Sequence, residues 1–104
     1  MIEANSQNFN EIIKESKIPT LVYFWSVNCK VCEDSNLFMF ELQDAYKEKL
    51  KIVKVNLDKE FELVKRFGID RVPVFFVFKN SIQVSRINGF RDKNKLEKEL
   101  RFYF

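Results

Sequence analysis

Two cysteines, Cys29 and Cys32, are the residues of this chain whose types and spacing most directly predict a reaction. Thiols separated by two residues fit on the first turn of a helix, where the leading sulfur meets unpaired backbone N–H groups and the positive end of the helix dipole. A sulfur placed there ionises easily, and its thiolate can attack a disulfide in another molecule. The second thiol can then release the mixed disulfide. The pair therefore predicts thiol–disulfide exchange, with Cys29 as the nucleophile and Cys32 as the resolving thiol.

The composition excludes several other chemistries. The chain has no histidine, which excludes Ser-His and Cys-His nucleophile activation and a Cys/His zinc site within one chain. Two cysteines alone do not complete a four-ligand zinc shell, so no metal site is expected. The 18 basic and 15 acidic residues give a formal charge of +3 without a sustained basic run, so nucleic-acid binding is not expected.

No segment of the sequence predicts a membrane or secretory destination. The longest apolar run, residues 72–78, is far shorter than the about 18 residues that suggest a membrane-spanning helix. The N-terminus lacks the charged start and apolar block of a signal peptide. We therefore expect a cytoplasmic protein, a setting in which a close cysteine pair is more often catalytic or metal-binding than a permanent structural bridge.

The apolar pattern predicts an α/β protein with the order βαβαβαββα, as one domain over residues 1–104. A chain of this length buries a single core and is too short for two. Residues 20–25 and 74–78 are rich in β-branched and aromatic residues without polar alternation, which is typical of strands covered on both faces. Further strands are predicted at 2–4, 51–58 and 82–87, and helices after residue 6, at 29–49, at 59–67 and from 92.

The spacing of apolar residues predicts which helix faces are buried. The predicted inward residues are Phe9, Ile12 and Ile13 in the first helix, Phe38, Leu42, Ala45 and Tyr46 in the second, Phe61, Val64 and Phe67 in the third, and Leu96, Leu100 and Tyr103 in the last. Leu37 and Phe40 lie off the stripe of the second helix, and we expect them to pack laterally on a neighbouring element; a small exposed patch is the alternative. Gly68 is predicted to end the third helix, and Asn80-Ser81 to form a hairpin turn.

The order of elements and a series of short motifs resemble the thioredoxin family. Beside the Cys-x-x-Cys motif, the matching motifs are Phe24-Trp25, Lys54-Val55-Asn56-Leu57-Asp58, Phe67-Gly68-Ile69, Val72-Pro73, Phe78-Lys79-Asn80 and Gly89. The resemblance covers nearly the whole chain and implies the thioredoxin fold, a central mixed β-sheet flanked by helices. It favours a redox-active pair over an inert buried pair or half of a metal site shared between molecules.

A substrate groove follows from the same resemblance. It implies a cis bond between Val72 and Pro73 facing the cysteines, with the Val72 backbone offering hydrogen bonds to an extended substrate segment. An ordinary strand-initiating proline is the alternative. The implied groove beside the nucleophile is lined by Trp25, Leu57, Gly89 and Phe90. For Trp25 and Leu57, plain core packing is an open alternative.

Several residues depart from the family's pattern. Lys30 and Val31 replace the Gly-Pro between the cysteines of ordinary thioredoxins, at positions where the family tunes its redox potential. Three further departures are Asn28 for a second tryptophan, Leu37 for a helix-kinking proline and Ser81 for a turn glycine. The redox potential of ordinary thioredoxins therefore does not carry over to this protein.

The departure of greatest consequence is Tyr23, which stands at the position of the family's buried aspartate. That aspartate is thought to handle the proton of the second cysteine, here Cys32. Without it, deprotonation has to rely on Lys54, on solvent or on a nearby acid, Glu33 or Asp34. We expect the resolving step to be slower than in an aspartate-bearing relative.

The resemblance implies a disulfide oxidoreductase that reduces protein disulfides without a bound cofactor of its own. We expect a monomer that a thioredoxin-reductase-like flavoprotein recharges. A dedicated electron donor to one partner is an alternative, favoured by the altered Lys30-Val31 pair. A thioredoxin-like binding module with vestigial cysteines is another, and the intact cysteine pair and Pro73 argue against it.

Lys30 provides the first test. Its charge should stabilise the thiolate of Cys29 and make the disulfide somewhat more oxidising. An exposed lysine contributes only a few tenths to about 1 kcal/mol, so a solvated surface charge is the alternative. In Lys30→Ala, we expect the thiolate absorbance of Cys29 to appear at higher pH than in the unsubstituted protein. An unchanged or lower titration midpoint would remove the tuning role.

Overall fold

Four helices and five strands follow one another in the predicted order βαβαβαββα. The computed structural model describes residues 1–104. Its strands are β1 (Ile2–Glu3), β2 (Thr20–Trp25), β3 (Lys51–Asn56), β4 (Val74–Lys79) and β5 (Ile82–Asn88). Its helices are α1 (Phe9–Glu15), α2 (Lys30–Tyr46), α3 (Phe61–Phe67) and α4 (Lys93–Arg101). None of these helices combines the length and the apolarity that crossing a membrane requires.

The strands form one mixed sheet in the order β1-β3-β2-β4-β5. β3 pairs in parallel with both β1 and β2, whereas β4 runs antiparallel to β2 and β5. The central strand is therefore β2, in which Tyr23 lies opposite Lys54 of β3 and Phe75 of β4. Because parallel strands end at the same edge of a sheet, β2 and β3 both end where α2 begins, at the cysteine pair.

Successive residues of β2 contribute to two hydrophobic cores, one on each face of the sheet. Val22 and Phe24 pack in a first core with residues of α1 and α3, and Leu21 and Tyr23 pack in a second core with residues of α2 and α4. The exposed fraction of all four is 0%. Burial on both faces explains why β2 lacks alternating polar residues.

α2 begins at Lys30, one residue later than predicted, and ends at Tyr46. In its predicted stripe Phe38 and Leu42 are buried, Tyr46 is half-buried and Ala45 is exposed. The expectation that Leu37 and Phe40 pack laterally is wrong, because their side chains are 64% and 47% exposed. Met39 is fully buried beside Phe38. Successive helical residues are about 100° apart, so a buried face centred between these two leaves Leu37 and Phe40 towards solvent.

α3 also buries a face that differs from the predicted one. Phe61, its first residue, is 74% exposed, so the prediction that this ring points inward is wrong. Leu63 is buried instead, and Val64 and Phe67 pack beside it on the first core. The angle of about 100° between successive residues places Phe61 outside this face. Gly68 ends the helix in a left-handed conformation, with a φ of 62°, as predicted.

The first and last helices bury the predicted faces. Phe9, Ile13, Leu96 and Leu100 are buried, and Ile12 and Tyr103 pack partly buried against the two cores. The carboxylate of Asp92 accepts hydrogen bonds from the N–H groups of Asn94 and Lys95. It thereby satisfies two of the backbone donors that a helix N-terminus leaves free.

The predicted turn between β4 and β5 places two non-glycine residues at positive φ, Asn80 at 53° and Ser81 at 67°. A two-residue hairpin turn with positive φ at both positions is of type I′, and its preferred sequence is Asn-Gly. Asparagine tolerates this region, whereas the Cβ of serine clashes with the following carbonyl. The turn is therefore strained at Ser81.

Ser81→Gly should stabilise the protein by about 0.5–1 kcal/mol, because glycine adopts this conformation without the clash. Urea unfolding of the oxidised protein measures the change. Ser81→Ala is the matched control, since it keeps the Cβ and should give no gain. If the two variants proved equally stable, the turn would carry no strain at this residue.

Candidate active site

Cys29 occupies the N-cap position of α2 and is joined to Cys32 by a disulfide bond. Its backbone is extended, with φ −126° and ψ 105°. The nucleophile, predicted to lie in the first turn of the helix, therefore lies one residue before that turn. The backbone N–H of Cys32 points at Cys29 Sγ, with an N–S distance of 3.1 Å. In the reduced protein, this N–H and the positive end of the helix favour a negatively charged sulfur.

The two cysteines differ in their access to solvent. Cys29 is partly exposed, whereas only 3% of Cys32 is exposed. An incoming disulfide can therefore reach Cys29 and not Cys32. Because of this asymmetry, a substrate can contact the sulfur of Cys29, whereas the sulfur of Cys32 is accessible only to that of Cys29.

A short loop before β4 lies against the reactive sulfur. Val72-Pro73 is a cis peptide, as the resemblance implied, and the carbonyl oxygen of Val72 is 3.8 Å from Cys29 Sγ. The N–H of Val72 makes no hydrogen bond within the chain, whereas the carbonyl of Pro73 accepts one from the N–H of Gly89 over 2.8 Å. Val72, Pro73 and Gly89 line one groove of about 480 Å³. The fold thus brings these three predicted substrate-binding residues together.

A second cavity, a recess of about 260 Å³, includes both cysteines in its lining. It is lined by Trp25, Ser26, Val27, Cys29, Cys32, Glu33, Asn36 and Lys54. The Lys54 ammonium lies 5.3 Å from the centre of the Trp25 ring, a cation–π distance. Leu57 lines neither cavity and packs partly buried on the first core. The residues predicted to line the substrate groove are therefore divided: Gly89 lies in the groove, Trp25 in the recess and Leu57 on the first core, while Phe90 lines neither cavity and packs on the second core.

Tyr23 lies under the start of α2, where its phenol is fully buried. Its hydroxyl donates to the carbonyl of Cys32 at 3.0 Å and shares a hydrogen bond with Ser35 Oγ at 2.8 Å. Burial raises the pKa of Tyr23, and the hydrogen bond with Ser35 lowers it by less. The phenol therefore keeps its proton at neutral pH, so Tyr23 acts as a donor to the backbone of Cys32 and not as a base for its thiol.

Ser35 is a site residue that the sequence analysis missed. It is fully buried, and its hydroxyl lies 3.2 Å from the carbonyl of Cys32, so its one proton is shared between that carbonyl and Tyr23. A serine one turn after Cys32, on the same face as Phe38 and Met39, is a signal that could have revealed it, because a buried hydroxyl needs a partner.

Asp58 holds the turn that leads into Cys29. Its carboxylate accepts hydrogen bonds from Ser26 Oγ at 3.0 Å and from the N–H of Val27 at 3.1 Å. The sequence placed Asp58 in a family motif without a role, because its partners are about thirty positions away. Lys30 and Val31 follow the nucleophile and are exposed, and Lys30 makes no hydrogen bond or salt bridge.

This geometry defines a class of protein, the thiol–disulfide oxidoreductases. One sulfur is open to an incoming disulfide, and a second is already bonded to it from behind. In its reduced dithiol form, such a pair passes two electrons to a substrate disulfide and ends in the disulfide form seen here.

Comparison with known proteins agrees with this class. The family model described as Thioredoxin matches residues 1–101. The thioredoxin of Alicyclobacillus acidocaldarius is 32% identical over 93 residues, covering 89% of this chain and 88% of the relative. Thioredoxins of a Synechocystis species (29% identical, covering 97% and 94%) and of Griffithsia pacifica (34%, covering 90% and 90%) are also similar. The chain belongs to the thioredoxin family; it has the thioredoxin fold and is a protein-disulfide oxidoreductase.

Tyr23→Phe should lower the free energy of unfolding at neutral pH by about 1–2 kcal/mol, because it removes a buried hydrogen bond. This loss should shrink above pH 10. The pKa of Tyr23 is raised above its ordinary value of 10.0, so with rising pH the unfolded chain loses this proton first. The stability that the raised pKa contributes is complete below pH 10 and is lost as the pH rises towards the folded-state pKa.

Urea unfolding of the oxidised proteins between pH 7 and 11 measures this difference. Ser35→Ala is the control, since it removes a hydrogen bond to the same carbonyl but retains the phenol and should keep the alkaline decline. An identical alkaline decline in Tyr23→Phe would show that another group causes it.

Proposed function

We propose that the protein reduces disulfides in other proteins, with Cys29 as the nucleophile and Cys32 as the resolving thiol. The observation that carries this proposal is the asymmetry of the pair: Cys29 is partly exposed at the helix N-cap, and Cys32 is 3% exposed behind it. The Cys29 thiolate attacks one sulfur of the substrate disulfide and expels the other as a thiolate. The Cys32 thiolate then attacks Cys29 Sγ and expels the remaining substrate sulfur. The substrate gains two electrons, and the protein ends as the Cys29–Cys32 disulfide.

Cys32 has to lose its proton before the second attack. Tyr23 cannot accept it at neutral pH, because burial raises the pKa of that phenol. The recess beside Cys32 is lined by Glu33 and Lys54, and its volume of about 260 Å³ has room for water. We assign the proton route to this recess, with water or Glu33 as the acceptor and the Lys54 cation favouring the thiolate. Asp34 lines a different cavity.

The redox potential is tuned by four residues in this proposal. Lys30 and Val31 act from the exposed side of the pair, Lys54 acts from the recess, and Tyr23 acts through the carbonyl of Cys32. A contact that stabilises the thiolate state makes the disulfide more oxidising. Lys30 and Lys54 thus act in the oxidising direction.

The groove at Val72-Pro73 binds the substrate chain in this proposal. The N–H of Val72 has no partner, and its carbonyl meets only Cys29 Sγ. An extended segment can therefore add to this backbone as a strand and bring its own sulfur to Cys29. Gly89 lines the same groove, and Trp25 contributes from the recess side.

The electron source and the compartment belong to the same proposal. Exchange leaves the pair oxidised, so each turnover needs two electrons from another protein. We assign this role to a thioredoxin-reductase-like flavoprotein in the cytoplasm, which makes the protein a monomeric electron carrier without a bound cofactor. A reducing compartment is where a cycling cysteine pair is expected.

Dedication to one partner is a second candidate. Val27 and Val31, on either side of Cys29, are 65% and 45% exposed and offer an apolar surface to a fitting protein. Insulin reduction driven by a general thioredoxin reductase separates the candidates, since a dedicated donor would not support it.

Serine variants test the two cysteine roles. Cys29→Ser should abolish insulin reduction, because the accessible sulfur is lost. Cys32→Ser should accumulate a mixed disulfide with a protein substrate, because nothing resolves it; non-reducing electrophoresis and mass spectrometry detect the adduct. A mixed disulfide formed by Cys29→Ser but not by Cys32→Ser would reverse the roles. Full biological activity of Cys29→Ser in the cell, despite lost insulin reduction, would favour the binding-module alternative.

A further inference from the structure

The groove at Val72-Pro73 carries an unbalanced positive charge. Three arginines, Arg71, Arg86 and Arg91, and one acidic residue, Asp70, line it. The recess that includes both cysteines in its lining contains one charged residue of each sign, Lys54 and Glu33. The net positive charge therefore lies in the groove where a substrate segment would bind.

Two of the arginines are free to meet a ligand. The guanidinium of Arg86 donates to the carbonyls of Phe67 and Gly68, at 2.9 and 3.3 Å, and is held in place by them. Arg71 and Arg91 are exposed, and neither makes a hydrogen bond or a salt bridge. Their donors have no acceptor within the protein.

Both free arginines are close in sequence to the cis-proline loop or to backbone bonded to it. Arg71 directly precedes Val72, whose carbonyl is 3.8 Å from Cys29 Sγ. Arg91 follows two residues after Gly89, whose N–H is bonded to Pro73. Both side chains line the groove in which a segment bound at Val72 would lie.

We propose that Arg71 and Arg91 select substrates in which the target cysteine is flanked by aspartate or glutamate. This inference rests on the proposed function and adds a substrate class to it. The arginine fork matches a carboxylate in two hydrogen bonds, and a net positive groove raises the encounter rate of an acidic segment. Basic flanking residues would meet like charge and be disfavoured.

Two disulfide-bonded peptides that differ only in their flanking residues, aspartate in one and lysine in the other, test the proposal. At low salt we expect kcat/KM for the acidic peptide to exceed that for the basic one by about three- to tenfold, and the ratio to fall as salt screens the charges. The double variant Arg71→Glu/Arg91→Glu should invert the ratio. Because the ratio is taken within one variant, a general loss of activity cancels.

Lys17→Glu/Lys49→Glu is the matched control, with the same change in net charge. Both lysines are exposed; Lys17 precedes β2 and Lys49 follows α2, at the edge of the sheet opposite Cys29. The control should keep the ratio. Equal rates on the two peptides, or an equal shift in the control, would overturn the selectivity.

A neutral substrate, 2-hydroxyethyl disulfide, separates the two levels of inference. If the unsubstituted protein reduces it but does not distinguish the peptides, the charge selectivity fails alone. If the unsubstituted protein reduces neither it nor the peptides, the proposed function fails and the selectivity fails with it.

Discussion

The contact between the backbone N–H of Cys32 and the sulfur of Cys29 is the interaction on which the active site depends. It exists only because the chain turns from strand to helix within a few residues, leaving Cys29 extended at the N-cap. Two features hold that turn: the end of β2, paired on both sides, and Asp58, which binds Ser26 and Val27. The reactive sulfur therefore takes its ionisation from the helix end and its position from the sheet.

Two uncharged, buried hydroxyl groups support the first turn of α2 from its buried side. Tyr23 and Ser35 both reach the carbonyl of Cys32, and neither carries a charge at neutral pH. Burying hydroxyls that are hydrogen-bonded costs far less than burying a carboxylate, so this arrangement favours stability. The phenol keeps its proton at neutral pH, so it does not take the proton of the resolving thiol. In the proposed mechanism, structural support and proton transfer are therefore separated, whereas a single buried acid could combine them.

The sequence predicted the fold well because its main signals are local. The apolar runs of β2 and β4 predict strands with two covered faces, and the order of elements followed from them. The errors concern the rotation of helices about their axes. Leu37, Phe40 and Phe61 are exposed because Met39 and Leu63 fill the space against the sheet. Apolar residues surround much of these helices, so periodicity alone does not identify the side that packs.

For the site, the sequence by itself determined the reactive cysteine pair. Two thiols at this spacing, directly after a predicted strand, indicate the start of a helix and the thiol chemistry that its N-terminus favours. It could not reveal that Ser35 and Tyr23 share one carbonyl, or that Arg71 and Arg91 border one groove. Tertiary structure alone decided these, because β2 lies under α2 and the β4–β5 hairpin returns the chain to the cis-proline loop. Spacing predicts chemistry within one turn of helix, whereas contacts between distant residues depend on how the whole sheet is assembled.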